Sequence, residues 1–178
     1  MDNATLTRLE GAEIPLERDG FLRNLLRHLA GTLEDVVGLQ EASGFISVVG
    51  QKVGDELNQL YRHQLAVENL SREQVAAVMV DLKLRIRGEF FIEYEDDEKI
   101  ILQSRSCPFE DKVIGKTSLC MMTSNVLGTI AAENLGYAKV VLDKAIARGD
   151  SGCRVVVYLA RTAESHLDPG IEYFKSSQ

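Results

Sequence analysis

Phe90-Phe91-Ile92-Glu93-Tyr94, then Glu95-Asp96-Asp97-Glu98-Lys99, then Ile100-Ile101-Leu102 is the stretch on which the fold turns. Two short runs of aromatic and β-branched residues flank five charged ones. An antiparallel hairpin asks for that order: side chains that suit a pleated surface, and a solvated turn between them. Upstream the period is helical. Phe21, Leu22, Leu25, Leu26, Leu29, Leu33, Val36 and Val37 recur at three and four, which predicts a helix from Asp19, its expected N-cap. A second helix is expected from about Ala42 to Leu65, through Phe45, Val49, Val53, Leu57, Leu60 and Tyr61. Gly50 and Gly54 lie four apart on it and suit tight packing against another backbone. Ser71-Arg72-Glu73-Gln74 has capping-box spacing, and Val75, Val78, Met79 and Leu82 continue as a third helical stripe.

Downstream of the hairpin, Cys107-Pro108 opens a loop. A helix is expected from about Ser118 to Leu135, stopped by Gly136. Tyr137 to Ala147 and Cys153 to Leu159 form two strands about the turn Arg148-Gly149-Asp150-Ser151-Gly152. Residues 1–18, which include Pro15, form an arm, and 161–178 a loose tail. The expected class is α+β: N-terminal helices plus an antiparallel sheet of two hairpins covered by a long helix. The whole chain, 1–178, is expected to be one domain, since no repeat or low-complexity tract divides it.

A net charge of −7 argues against a phosphate-coating surface, and the one basic cluster, Lys83, Arg85 and Arg87, is followed at once by Glu89, Glu93 and Glu95. Nucleic acid is therefore not an expected partner. There is no apolar run of membrane-spanning length, and the first residues lack a basic-then-apolar leader, so the expected setting is cytoplasmic, without a membrane.

The three cysteines fall as C-x12-C-x32-C, an odd number that cannot pair internally without remainder. In a reducing compartment such thiols are free, metal-bound or redox-active. Cys107 follows the first hairpin, Cys120 sits in the first turn of the last long helix, and Cys153 opens a strand. Strand ends and the start of a covering helix can meet, which makes a three-sulfur metal cluster geometrically reasonable. The helix start is expected to favour the Cys120 thiolate, the form that binds metal or attacks a disulfide. The plainer alternative is three small buried hydrophobes.

Other motifs carry little. Gly115-Lys116-Thr117-Ser118 has the tail of a phosphate loop, but Glu110 stands where that loop needs glycine. His28, His63 and His166 are expected to be solvated. No G-x-S-x-G, H-E-x-x-H or G-x-G-x-x-G is present, so no standard hydrolase, protease or dinucleotide site is visible.

Cys107-Pro108-Phe109, the run Ser118 to Val126, the run Ala131 to Val140, and Ala147-Arg148-Gly149-Asp150-Ser151-Gly152-Cys153 with its following β run resemble the methanogen output domain family. More distantly the ending resembles the 4-vinyl reductase domain. The close resemblance covers about residues 105–160. It implies a sensor and signal-output module with three characteristic cysteines, in an α+β ligand-binding fold related to nitric-oxide sensors and vesicle-tethering subunits. It also implies aromatic or gaseous effectors and association through the N-terminal helices. Phenol-sensing members of the wider superfamily hold zinc with three cysteines and a glutamate. Cys120 and Cys153 align with two of those cysteines, whereas the positions for the third and for the glutamate fall near Ala145 and Leu142, which cannot ligate. Cys107 is left to supply the third sulfur.

The resulting expectation is a stand-alone sensory or regulatory domain rather than an enzyme. A pocket between the helical half and the sheet would bind a small ligand, or a zinc or iron–sulfur centre held by Cys107, Cys120 and Cys153, and respond to a small-molecule, gas or redox effector. A homodimer that signals to a protein partner would be the output. The alternatives are a thiol-redox or pigment-biosynthesis reductase, and a scaffold or tethering subunit without chemistry.

Overall fold

The computed structural model describes residues 12, 13 and 16–176. Helix α1 spans Arg18–Val37, α2 Leu39–Leu65, α3 Arg72–Arg85 and α4 Ser118–Leu135; strands β1 Phe90–Glu95, β2 Lys99–Ser104, β3 Tyr137–Lys144, β4 Cys153–Tyr158 and β5 Ile171–Phe174 form one sheet, and α5, Ala163–Leu167, precedes β5. The strands lie in the order β1-β2-β4-β3-β5, and every neighbouring pair is antiparallel. The expected α+β class and both expected hairpins are present. The hairpins join through β2 and β4, with Ile100 opposite Val157 and Ser104 opposite Cys153.

Side-chain alternation divides the sheet into two faces. Ile100, Leu102, Ala138, Val140, Val155 and Val157 point toward the helices and enter the main core with Val75, Met79, Leu82, Leu127 and Ile130. Ile101, Val141, Val156 and Tyr158 form a smaller buried cluster on the other face. α4 is buried on nearly every side. It lies between the sheet and α2, which explains why its sequence shows no polar stripe. Gly50 and Gly54 make the α2 contact possible: a Cβ on Gly50 would sit 2.8 Å from the Cβ of Asn125, and one on Gly54 2.9 Å from the Cβ of Thr129. The glycine pair serves helix packing within the chain, as its spacing suggests.

Several boundaries move. The N-cap of α1 is Glu17 rather than Asp19; its carboxylate accepts from the backbone N–H of Asp19 at 2.9 Å and from that of Gly20. Asp19 falls in the first turn instead, where a carboxylate also suits the helix dipole. α2 begins at Leu39, directly after Gly38, which caps both helices. The capping box at Ser71 forms, with Gln74 and Ser71 exchanging bonds. β3 stops at Lys144, and Ile146–Arg148 is a 3-10 turn closed by the Asp150 carboxylate, which accepts from the Ala145 N–H at 2.8 Å.

The larger difference is at the C-terminus. The segment expected to be a loose tail holds α5 and β5. β5 pairs with β3 from Tyr137–Phe174 to Val140–Ile171, and Tyr173 lies over Gly128 of α4, its hydroxyl 2.9 Å from that of Ser124. Of the expected arm, residues 1–11, 14 and 15 lie outside the described residues.

Candidate functional site: a cysteine-lined cavity with a buried lysine

The chain leaves β2 at Ser104, whose hydroxyl donates to the Ser106 carbonyl at 2.6 Å and accepts from the Ser106 N–H at 3.1 Å. That bend delivers Cys107 and Pro108 to the end of the sheet. Cys153 lies opposite Ser104 on the helix-facing side of β4. Cys120 arrives from the first turn of α4. All three sulfur-bearing side chains line one cavity of about 30 Å³, together with Phe90, Phe109, Thr123, Leu142 and Val155. Ala145 lines it too. A volume of that size holds about one water, since a water occupies roughly 30 Å³ of liquid. Cys107, Cys120 and Cys153 thus meet at one cavity. Among the described residues, no group of three or more His, Cys, Asp or Glu side chains stands in an arrangement that could hold a metal ion.

The thiols are half-buried and unpaired. Burial pushes the Cys120 thiol up to about 12, with the neighbouring Cys107 and Cys153 adding to it. Cys107 is raised as well, chiefly by burial. The helix start does not favour the Cys120 thiolate as expected. The N–H groups of Leu119 and Cys120 already donate to the carbonyls of Lys116 and Thr117, at 3.2 and 3.0 Å, so desolvation outweighs what the helix dipole offers.

One residue at this site is absent from the sequence-based candidates. Lys83, which the sequence places in a basic cluster, is only 3% exposed. Its ammonium donates to the Thr123 hydroxyl at 2.9 Å and sits 5.2 Å from the centre of the Phe90 ring. Burial lowers its pKa from 10.5 to about 8, and the groups that pull the other way are Cys107, Cys153 and Cys120. A buried ammonium without a carboxylate is costly, by several kcal/mol in general. The signal for Lys83 lies in its register: Ala76, Met79 and Lys83 follow one another at three and four on the buried side of α3.

The loop between Cys107 and Cys120 is bound to α1 at three points. Arg23 pairs with Glu110 at 2.7 Å, and Arg27 donates to the Lys112 carbonyl and, at 2.9 Å, to the Ile114 carbonyl. Glu34 accepts from Lys116 at 2.8 Å and from the Ser118 hydroxyl at 2.5 Å. The phosphate-loop-like residues are thus committed to a carboxylate, in keeping with the rejection of a nucleotide site. Apolar contact follows the same path: Cys107, Phe109, Cys120, Met121 and Met122 pack on a small core formed by Ala30, Ile46, Val113, Leu119 and Ala147. His28, His63 and His166 are exposed, as expected. A larger hollow, about 670 Å³, lies on the opposite sheet face, but its charged groups are already engaged: Arg154 with Asp143, Arg148 with Asp150, Glu164 with Lys99, and Asp168 with the Tyr158 hydroxyl.

The family model of methanogen output domain 1 matches residues 25–158, three quarters of the chain and all three cysteines. The chain belongs to the methanogen output domain 1 family. No curated protein matches it. Among solved structures, this output domain is similar to the phenol-responsive sensory domain of the transcription activator PoxR, solved with phenol, at a TM-score of 0.61 and 14% identity, covering 82% of this chain and 76% of that one. It is also similar to a trafficking protein particle complex subunit 3 from Naegleria fowleri, covalently bound to palmitic acid, at a TM-score of 0.56 and 14% identity, covering 79% and 96%. At such identity the likeness is one of fold, which these proteins share with the output domain.

Among the described residues, no helix is long and apolar enough to cross a membrane.

Proposed function

We propose that this output domain is a sensory module whose input is the state of a metal centre, zinc or iron–sulfur, at Cys107, Cys120 and Cys153, and whose output surface is α1. The observation that carries this reading is the convergence of all three cysteines on one cavity of about 30 Å³. That volume decides between occupants. Pockets for organic ligands run to roughly 300–1,000 Å³, so a phenol-sized effector does not suit this cavity; a single ion such as zinc does, whereas an iron–sulfur cluster would require the Cys107–Cys120 loop to move outward. The donor chemistry suits soft metal ions, because thiolates are the ligands such ions favour. The three thiols are not gathered as ligands, so an arriving ion would draw them together and deprotonate them. Three sulfurs leave one position for an exchangeable ligand, the arrangement of a responsive rather than a purely structural centre.

Transmission follows from the connections of the Cys107–Cys120 loop. A change that pulls on either cysteine displaces a segment held to Arg23, Arg27 and Glu34 of α1. The outer face of α1 bears exposed Phe21, Leu22, Leu25 and Leu29, and that of α2 bears Phe45, Val48 and Val49. An apolar surface of this extent suits a homodimer, whose contact or geometry would then report the state of the centre to a signalling partner.

Metal analysis and absorption spectroscopy on anaerobically purified chain test the reading. The expected result is about one zinc per chain, or a brown iron–sulfur protein, with metal content reduced in Cys107→Ser, Cys120→Ser and Cys153→Ser alike. Full metal content in all three single variants, or none in the wild type, would overturn it and leave free thiols or a scaffold.

A further inference from the structure

We propose that Lys83 is the internal counter-charge of the cysteine site, fitting it to a three-thiolate centre of net charge minus one. This rests on the metal reading above and adds the charge that the centre must carry. Lys83 is buried at the end of α3 and fixed by two contacts, neither of them anionic: the Thr123 hydroxyl at 2.9 Å and the Phe90 ring at 5.2 Å. Both of those residues line the cysteine cavity. Among the described residues no carboxylate is paired with Lys83, and the acidic groups whose charge bears on it are the three thiols.

The charge balance follows from the chemistry of the donors. Three thiolates around a dication leave one negative charge, and a single ammonium cancels it within the same low-dielectric pocket. In the metal-free chain no carboxylate among the described residues is paired with the lysine. In the loaded chain the same lysine would offset a charge that burial otherwise penalises. Two other cations lie near: Lys144 lines the cavity but is exposed to solvent, where its charge is screened, and Arg148 bears on Cys120 but donates its guanidinium to the Leu142 and Asp143 carbonyls at 2.7 Å and faces Asp150. Lys83 is therefore a positioning residue rather than a ligand: it touches the walls of the site, and it acts on the metal through charge.

The two roles that Lys83 could have move two readouts in opposite directions. A lysine kept for packing would lower the melting temperature of the metal-free chain when replaced, and leave metal affinity unchanged. A counter-charge would do the reverse, since an apolar side chain of similar length relieves an unpaired buried ammonium. The experiment is a Co²⁺ titration of full-length wild type and Lys83→Met under argon, read from the thiolate-to-cobalt charge-transfer band, with thermal melts of both metal-free chains. The expected result is affinity lower by roughly 10–100-fold in the variant, the range seen when groups around metal ligands are replaced, with a metal-free melting temperature equal to or above that of wild type. Equal affinity in the two chains would overturn the counter-charge and leave the metal centre standing. A metal-free variant that melts lower or fails to fold would assign Lys83 a packing role. A wild type that binds no Co²⁺ would overturn the metal reading and this inference together.

Discussion

Lys83 and Cys120 carry opposite pH signatures. The folded pKa of Lys83, about 8, lies below its ordinary 10.5 because burial penalises the ammonium. Between those values the unfolded chain holds the extra proton, so stability rises with pH, by up to about 1.4 kcal/mol per unit. Cys120 runs the other way: burial and then its neighbouring thiols move it from 9.0 up to about 12. Above pH 9 the unfolded chain loses a proton that the folded chain keeps, and stability falls. Cys107, raised for the same first reason, adds to the fall. Urea unfolding of the metal-free chain should therefore show stability rising from about pH 8 to about 9, levelling while the Lys83 and Cys120 effects oppose each other, and declining clearly above about 10.5. Lys83→Met should abolish the rise, and Cys120→Ser should weaken the decline. A flat wild-type profile would contradict the burial of these groups. The cysteines are visible in the sequence because their positions follow from strand and helix ends. Lys83 is harder to read, because Arg85 and Arg87 beside it suggest a solvated cluster; its register with Ala76 and Met79 is the sign that it turns inward, where α3 docks it on Phe90 and Thr123.

Between elements, the α2–α4 contact is the tightest constraint. Gly54→Ala would press a methyl group against Thr129, which a packed interface tolerates poorly, at a cost of about 1–3 kcal/mol. Urea denaturation checks this, and an unchanged midpoint would mean that α2 can shift away from α4. β5 supplies the second case. Tyr173 covers Gly128 and meets Ser124, so Tyr173→Ala should destabilise the domain by up to about 3 kcal/mol and loosen β5 from β3. Faster amide exchange at Tyr137–Val140 would report the loosening, and unchanged exchange there would show that β5 holds by its backbone alone. Four helices and two hairpins are legible from period, caps and turn residues. β5 is not: four residues are too few for a period, and their partner in β3 lies some thirty positions away in the chain. Proximity in sequence carries the hairpins, and its absence hides the fifth strand.

For the molecule as a whole, the question is what covers the apolar outer surface of the first two helices. Leu25 is 51% and Leu29 63% exposed, and Phe21, Phe45 and Val48 are each more than half exposed. Both helices show strong helical periods, yet much of their apolar stripe faces outward rather than into the core, which holds α1 chiefly through Ala30 and its polar bonds to the Cys107–Cys120 loop. A surface of this kind on a chain with a net charge of −7 suits a two-fold contact between copies, because the apolar residues match themselves while the charges stay outside. Light scattering should then give twice the 19.7 kDa of one chain. Leu25→Glu combined with Leu29→Glu should yield a monomer with the metal content of the wild type, since neither side chain reaches the cysteine cavity. On the proposed reading, coupling between centre and dimer would run through Arg27, whose guanidinium binds two loop carbonyls. Arg27→Ala should leave both metal content and dimer intact while removing the change in dimer affinity that follows chelation of the metal. A wild type that remains a monomer at high concentration would refute the interface. A dimer whose affinity ignores the metal would refute the coupling and leave α1 as a fixed docking face.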